Sequence, residues 1–222
     1  MRVFRVLALA VLGVITVTGS AAAASRVFIV HGIPGVPVDV YAGAAGGAVP
    51  ATPTVTGFQP KQVVDLRIGG AVTADIRIFA AGANPQTATP VIQVLGATVP
   101  DGVEVSIVAH LDASGTPTAS VYRNDDTAVR PGWARVSVRH TAEAPAVALT
   151  AGGIPKLALS NPYFGDLEVP ATTIALQLEV PFTGAAITPS APLSFTSGTR
   201  YFVYAIGSVA AGTFDFVIHI AR

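Results

Sequence analysis

Two histidines stand in the same setting. "RVFIVH" ends at His31 and "RVSVRH" at His140, and each is followed by a short proline-bearing turn and a second apolar run. An imidazole can ligate a metal, move a proton, or donate from one ring nitrogen while accepting at the other. Ligation needs further side chains, and none lies at useful spacing from either histidine. Catalysis needs a nucleophile or a paired acid, and no nucleophile motif is close. His31 and His140 are therefore read as structural residues that tie down the turns after them, and no metal or cofactor is expected.

The remaining candidates are fewer. Asp39 and Tyr41 alternate with Val38 and Val40, so they point away from the core as an exposed strand face or form a polar-aromatic binding spot. "NDD" (Asn124 to Asp126) offers oxygens to calcium, but no Asp-x-Asp-x-Asp-Gly loop completes a site, and a solvated linker is expected. Trp133 follows "RPG" and is expected to pack at a domain junction. The chain has no G-x-S-x-G, H-E-x-x-H or P-loop motif and no cysteine. No catalytic residue is assigned, and the chain is read as a non-enzyme.

These residues must be positioned by strands. "DIRIF" (Asp75 to Phe79), "VEVSIVAHL" (Val103 to Leu111), "IALQLEV" (Ile174 to Val180) and "FDFVIHI" (Phe214 to Ile220) alternate or run apolar between Gly, Pro, Asp or Ser. Pro and Gly interrupt nearly every window long enough for a helix. The opening motifs align at a constant offset, Arg26 with Arg135 and Gly43 with Gly152. A second block aligns Gly102 with Gly198 and Ala109 with Ala205, so the second copy has a shorter middle. The fold class is all-β, two tandem antiparallel β-sandwiches of about seven strands each, immunoglobulin-like or transthyretin-like.

Alternation places Val27, Ile29 and His31 on one face, with Val136, Val138 and His140 as their counterparts. Ser137 and Arg139 then occupy the opposite face in the second copy and are expected to meet water. The first copy has Phe28 and Val30 there. That apolar strip is expected to join the two domains, with an external binding site as the other reading.

Arg2 and Arg5, the apolar run Val6 to Val17 and the small residues before Ser25 have the order of a secretory signal peptide, with cleavage after Ala24. The apolar run is too short for a membrane span. The expected organisation is 1–24 signal peptide, 25–126 first sandwich, 127–131 linker and 132–222 second sandwich. The 13 Lys and Arg, less the two in the leader, face 13 Asp and Glu, which is no nucleic-acid footprint. An exported chain without cysteine must rely on burial.

The opening "RVFIVHGIPGVPVDVY" resembles a bacterial family of exported repeat domains of unknown function, domain of unknown function 4397. The first copy keeps Arg26, His31, Pro34, Val38, Asp39, Val40 and Tyr41. The second keeps Arg135, His140 and Val147 but has Glu143, Ala148 and Thr150 at the proline, aspartate and tyrosine positions. The resemblance implies two copies of an exported sandwich and carries no chemistry. The expected function is a secreted or cell-envelope binding or adhesion module for an unassigned envelope or extracellular ligand. The alternatives are a secreted hydrolase or carbohydrate-active accessory protein, and a structural subunit assembling through edge strands.

Overall fold

In the computed structural model, which describes residues 23–221, all regular structure among the described residues is β; the leader through residue 22 lies outside them. The first sandwich comprises β1 (Ala24–His31), β2 (Val38–Ala44), β3 (Val55–Phe58), β4 (Val63–Gly69), β5 (Val72–Ala80), β6 (Ile92–Val99), β7 (Glu104–Leu111) and β8 (Pro117–Arg123). The second comprises β9 (Trp133–His140), β10 (Val147–Ala151), β11 (Ile154–Leu159), β12 (Phe164–Pro170), β13 (Thr173–Glu179), β14 (Ala191–Ser194), β15 (Arg200–Ile206) and β16 (Asp215–Ala221). Each has eight strands rather than the seven expected.

Both sandwiches have the same wiring. The sheets run β4-β1-β7-β8 and β3-β2-β5-β6 in the first, and β12-β9-β15-β16 and β11-β10-β13-β14 in the second. One parallel ladder sits at the centre of each otherwise antiparallel inner sheet, Arg26 to His31 along Glu104 to Ala109 and Arg135 to His140 along Arg200 to Ala205. A parallel pair needs a long crossover, and the whole outer sheet supplies it. The sequence-aligned blocks are thus adjacent strands in space.

Strand composition follows layer position. In β4, Val64, Leu66 and Ile68 pack on the first core while Asp65 and Arg67 between them stay outside it. In β1 both faces are apolar because both are buried. Val27 and Ile29 enter the first core, and Phe28 and Val30 enter a separate cluster with Val108, Phe202, Tyr204, Ile206 and Val217. The four sheets therefore stack as four layers, with the two inner sheets pressed together. The Phe28 strip is buried within the molecule. Its cover is the β15 and β16 face of the second sandwich, which carries its own aromatics.

Arg139 and Ser137 correct the expectation of a wet face, since both lie buried in this seam. Arg139 donates to Tyr204 Oη at 2.7 Å and to Asn124 Oδ1 at 2.5 Å. Its guanidinium lies 4.8 Å from the Tyr122 ring centroid and 5.0 Å from those of Phe202 and Tyr204. Tyr204 Oη donates to Ser106 Oγ at 2.9 Å, and Arg200 forks onto Glu104 at 2.6 and 3.1 Å. A charge without a carboxylate partner can be buried only where hydroxyl, amide and aromatic faces converge on it. Here they come from both halves of the chain.

All four histidines are held below their ordinary pKa of 6.5 by burial. His219 lies half-buried at the seam, its ring 4.1 Å from Phe28 and 6.0 Å from Phe202, with Nε2 unpartnered. Arg26 and Arg200 further disfavour its cation, against the opposing pull of Asp65 and Glu104. Below pH 6.5 the unfolded chain therefore binds more protons than the folded one, so stability falls as pH falls, by about 1.4 kcal/mol per pH unit for each excess proton. Urea midpoints should hold steady from pH 8 to about 6.5 and then drop by more than one proton's worth. A flat profile down to pH 5 would contradict the buried neutral imidazoles.

Candidate binding cleft in the second sandwich

Each turn histidine bridges the chain that follows it. His31 Nε2–H donates to Val36 O at 3.0 Å, and Ile33 N–H donates to His31 Nδ1 at 3.3 Å. His140 repeats this with Pro145 O at 2.8 Å and Ala142 N–H at 3.5 Å. Both ring nitrogens are occupied, so neither imidazole has a lone pair free for a metal. Among the described residues no cluster of three His, Asp or Glu side chains is arranged to hold one.

Asp39 and Tyr41 are buried, which corrects the exposed-face reading. Asp39 Oδ1 accepts from Gly57 N–H at 2.7 Å and Oδ2 from Gly82 N–H at 2.8 Å. Asp75 on β5 does the same with Gly96 and Gly46 N–H at 2.9 and 3.0 Å, and these bonds hold its carboxyl below the usual range. All four glycines have positive φ, the left-handed conformation that a side chain resists. Tyr41 packs edge-on against Phe79 beneath this layer. Local alternation cannot show that the chain between strands folds back over the sheet.

Asn124 is likewise buried rather than solvated, held by Glu104, Ser106 and Arg139. Asp125 forms a 3.0 Å ion pair with Arg135 instead of a calcium loop. Trp133 begins β9 opposite Pro170, its indole 3.5 Å beneath the Arg130 guanidinium. It stands apart from the seam's apolar cluster, so linker packing replaces the expected domain packing.

The candidate site carries no motif because it arises from a shortened element. In the first sandwich β6 has eight residues and closes the flank over β8, leaving an inter-sheet void of 70 Å³. In the second, β14 has four residues and makes no comparable approach to β16. The sheets gape there into a cleft of 540 Å³, within the size range of small-molecule sites. Val203, Leu193, Ile187, Phe214, Phe216 and Ile218 define its walls.

Among the described residues, the polar side chains in its lining are Gln177, Thr188 and Asp215. Gln177 Nε2 donates to Thr188 O at 3.1 Å, and Thr188 Oγ1 accepts from Leu178 N–H at 3.0 Å. Asp215 meets Lys61 Nζ at 2.5 Å and accepts from Phe216 N–H at 2.7 Å. Ladder registers align Phe216, Ile218 and Ile220 with Ala119, Val121 and Arg123 of the first sandwich. The open flank thus carries the larger apolar side chains, and Ile218 and Ile220 remain exposed.

The family model described as "Domain of unknown function (DUF4397)" matches residues 25–150. The chain belongs to this family. The match spans the whole first sandwich and runs through β9 into β10, so the cleft lies largely beyond it. Comparison with curated proteins finds no match. Among solved structures, the crystal structure of CBMbc (family CBM26) from Eubacterium rectale Amy13K in complex with maltoheptaose is similar over 89% of this chain and 97% of that chain, at 12% identity and a TM-score of 0.27. A likeness at that level carries no argument about the ligand.

The carboxylate staple makes a direct prediction. Asp39→Ala leaves the Gly57 and Gly82 amides without their acceptor and should cost about 1–3 kcal/mol, read as a lowered urea midpoint. Ala148→Asp, at the aligned position in the second sandwich, should give no matching gain, because no glycine amides are stationed there to receive it. Equal stability of Asp39→Ala and wild type would show that the staple is idle.

Proposed function

We propose that the protein is an exported, non-enzymatic binding module of two rigidly joined sandwiches, the second a diverged copy of the family domain. Ligand is taken into the open flank of that second copy. The carrying observation is the contrast between the two inter-sheet spaces. One wiring yields a closed core in the first sandwich and an apolar cleft in the second. The signal-like sequence of the leader supports export, and the occupied ring nitrogens of His31 and His140 support a reading without catalysis. A carbohydrate-active role has less support, because the cleft has no row of unpaired polar groups.

The test is saturable binding of the neutral fluorescent apolar probe N-phenyl-1-naphthylamine to the folded protein. One site per chain is expected, with at least tenfold weaker binding in Val203→Trp, which fills the cleft from its floor. Ile107→Trp, at the aligned position in the closed sandwich, should destabilise the protein by about 1–3 kcal/mol through overpacking. Probe binding that survives Val203→Trp would place the ligand elsewhere. Export is tested by N-terminal sequencing of protein recovered outside the cytoplasm, with Ser25 expected as the first residue.

A further inference from the structure

We infer that the cleft accepts a neutral ligand with a linear hydrocarbon chain, such as a fatty alcohol or the acyl chain of an ester or lipid. This rests on the cleft being the binding site. Three features select the class. First, Gln177, Thr188 and Asp215 already have partners within the chain. A sugar would bring hydroxyls into a space where few groups are free to receive them, and burying them unpaired is costly. A peptide strand between the layers would likewise leave its amides without ladder partners. A hydrocarbon needs none.

Second, the lining's one charge is a carboxylate, Asp215, neutralised by Lys61. Among the described residues no free cation lines the cleft to hold an anionic head, so a neutral ligand is favoured over a carboxylate of the same length. Third, packed sheets lie about 10 Å apart, so the gap left where facing side chains are missing has the thickness of a single chain. Val203 forms its floor, and Phe216 and Ile218 line the β16 side. The 180–190 connection that supplies Ile187 and Thr188 also carries Phe182, which is fully exposed at a positive φ of 68°. An exposed aromatic on the connection that also lines the cleft suits pick-up from a lipid surface as well as capture of a free ligand.

The experiment titrates the full mature chain with 1-decanol, decanoate and maltoheptaose at pH 8, reading displacement of the neutral probe N-phenyl-1-naphthylamine together with calorimetry. Decanol should displace the probe at one site per chain, decanoate at least fivefold more weakly, and maltoheptaose not at all. Ile218→Asp puts a charge at the exposed mouth without disturbing a buried group and should weaken decanol at least tenfold at unchanged Tm. Sedimentation with phosphatidylcholine vesicles separates the two sources. Retention lost in Phe182→Ser marks membrane acyl chains, and decanol binding without retention marks free ligand; both support the inference. A probe site that decanol cannot displace would overturn the ligand class and leave the cleft as the site, whereas absence of any probe site would overturn the cleft itself. Binding of maltoheptaose, or a wild-type dimer separated by Ile218→Asp, would assign the cleft to a sugar or to a second copy and overturn the inference.

Discussion

A guanidinium withdrawn from water governs how the molecule is assembled. Arg139 is buried without a facing carboxylate, so its hydrogen bonds and its aromatic neighbours must come from whatever covers it. Tyr204 and Phe202 belong to its own sandwich, while Asn124 and Tyr122 belong to the other. Separating the sandwiches would hydrate Arg139 but expose Phe28, Val30, Phe202 and Ile206 together. Apolar burial drives the docking, and the buried cation fixes its register, because few relative placements satisfy both. Tyr122 shows the same desolvation, its phenol pushed up to about 12 while Oη donates to Pro162 O at 2.7 Å.

From this seam outward the two sandwiches diverge. The shared parts are those that the inner layers need: the parallel central ladder, the core-facing valines and the histidine bridging each first turn. The outer parts differ. Residues 45–54 link β2 to β3, but only 152–153 link β10 to β11. In the first sandwich the connections present the Gly46 and Gly82 amides to Asp75 and Asp39, and Gly96 and Gly57 of β6 and β3 supply the second donor to each. The second has Ala148 aligned with Asp39 and Ala175 aligned with Asp75 in the ladder registers. With neither staple nor cover, its outer sheet ends in a short β14, and the flank stays open.

The sequence made the scaffold legible and left its exceptions hidden, for a physical reason. Alternation reads one strand against one core, so it located Val27, Ile29 and His31 correctly on an inward face. It assigned Ser137 and Arg139 to water because it assumes that every second face is wet, and a second layer breaks that assumption. "FIV" in β1 and "YFVYAI" in β15 carried the missing signal, since runs apolar on both faces belong to strands covered on both. Asp39 and Tyr41 were misplaced because the path of a returning loop is not written in the strand beneath it. The cleft left one trace, the shorter middle of the second half of the chain, and a missing segment does not disclose which wall it removes.

The seam and the cleft are two faces of the same strands. Along β15, Phe202 and Tyr204 enter the seam while Val203 between them floors the cleft. Along β16, Val217 and Ala221 face the first sandwich while Phe216 and Ile218 face the opening. A sheet with an underfilled inner face would ordinarily relax to close the gap, since residual cavities destabilise roughly in proportion to their volume. Here the other face is anchored by large aromatics and by Arg139, so collapse of β15 or β16 into the cleft would have to undo that packing. The first sandwich therefore acts as a splint: it holds the cleft open before a ligand arrives, and a site held in its bound shape loses less conformational freedom on binding.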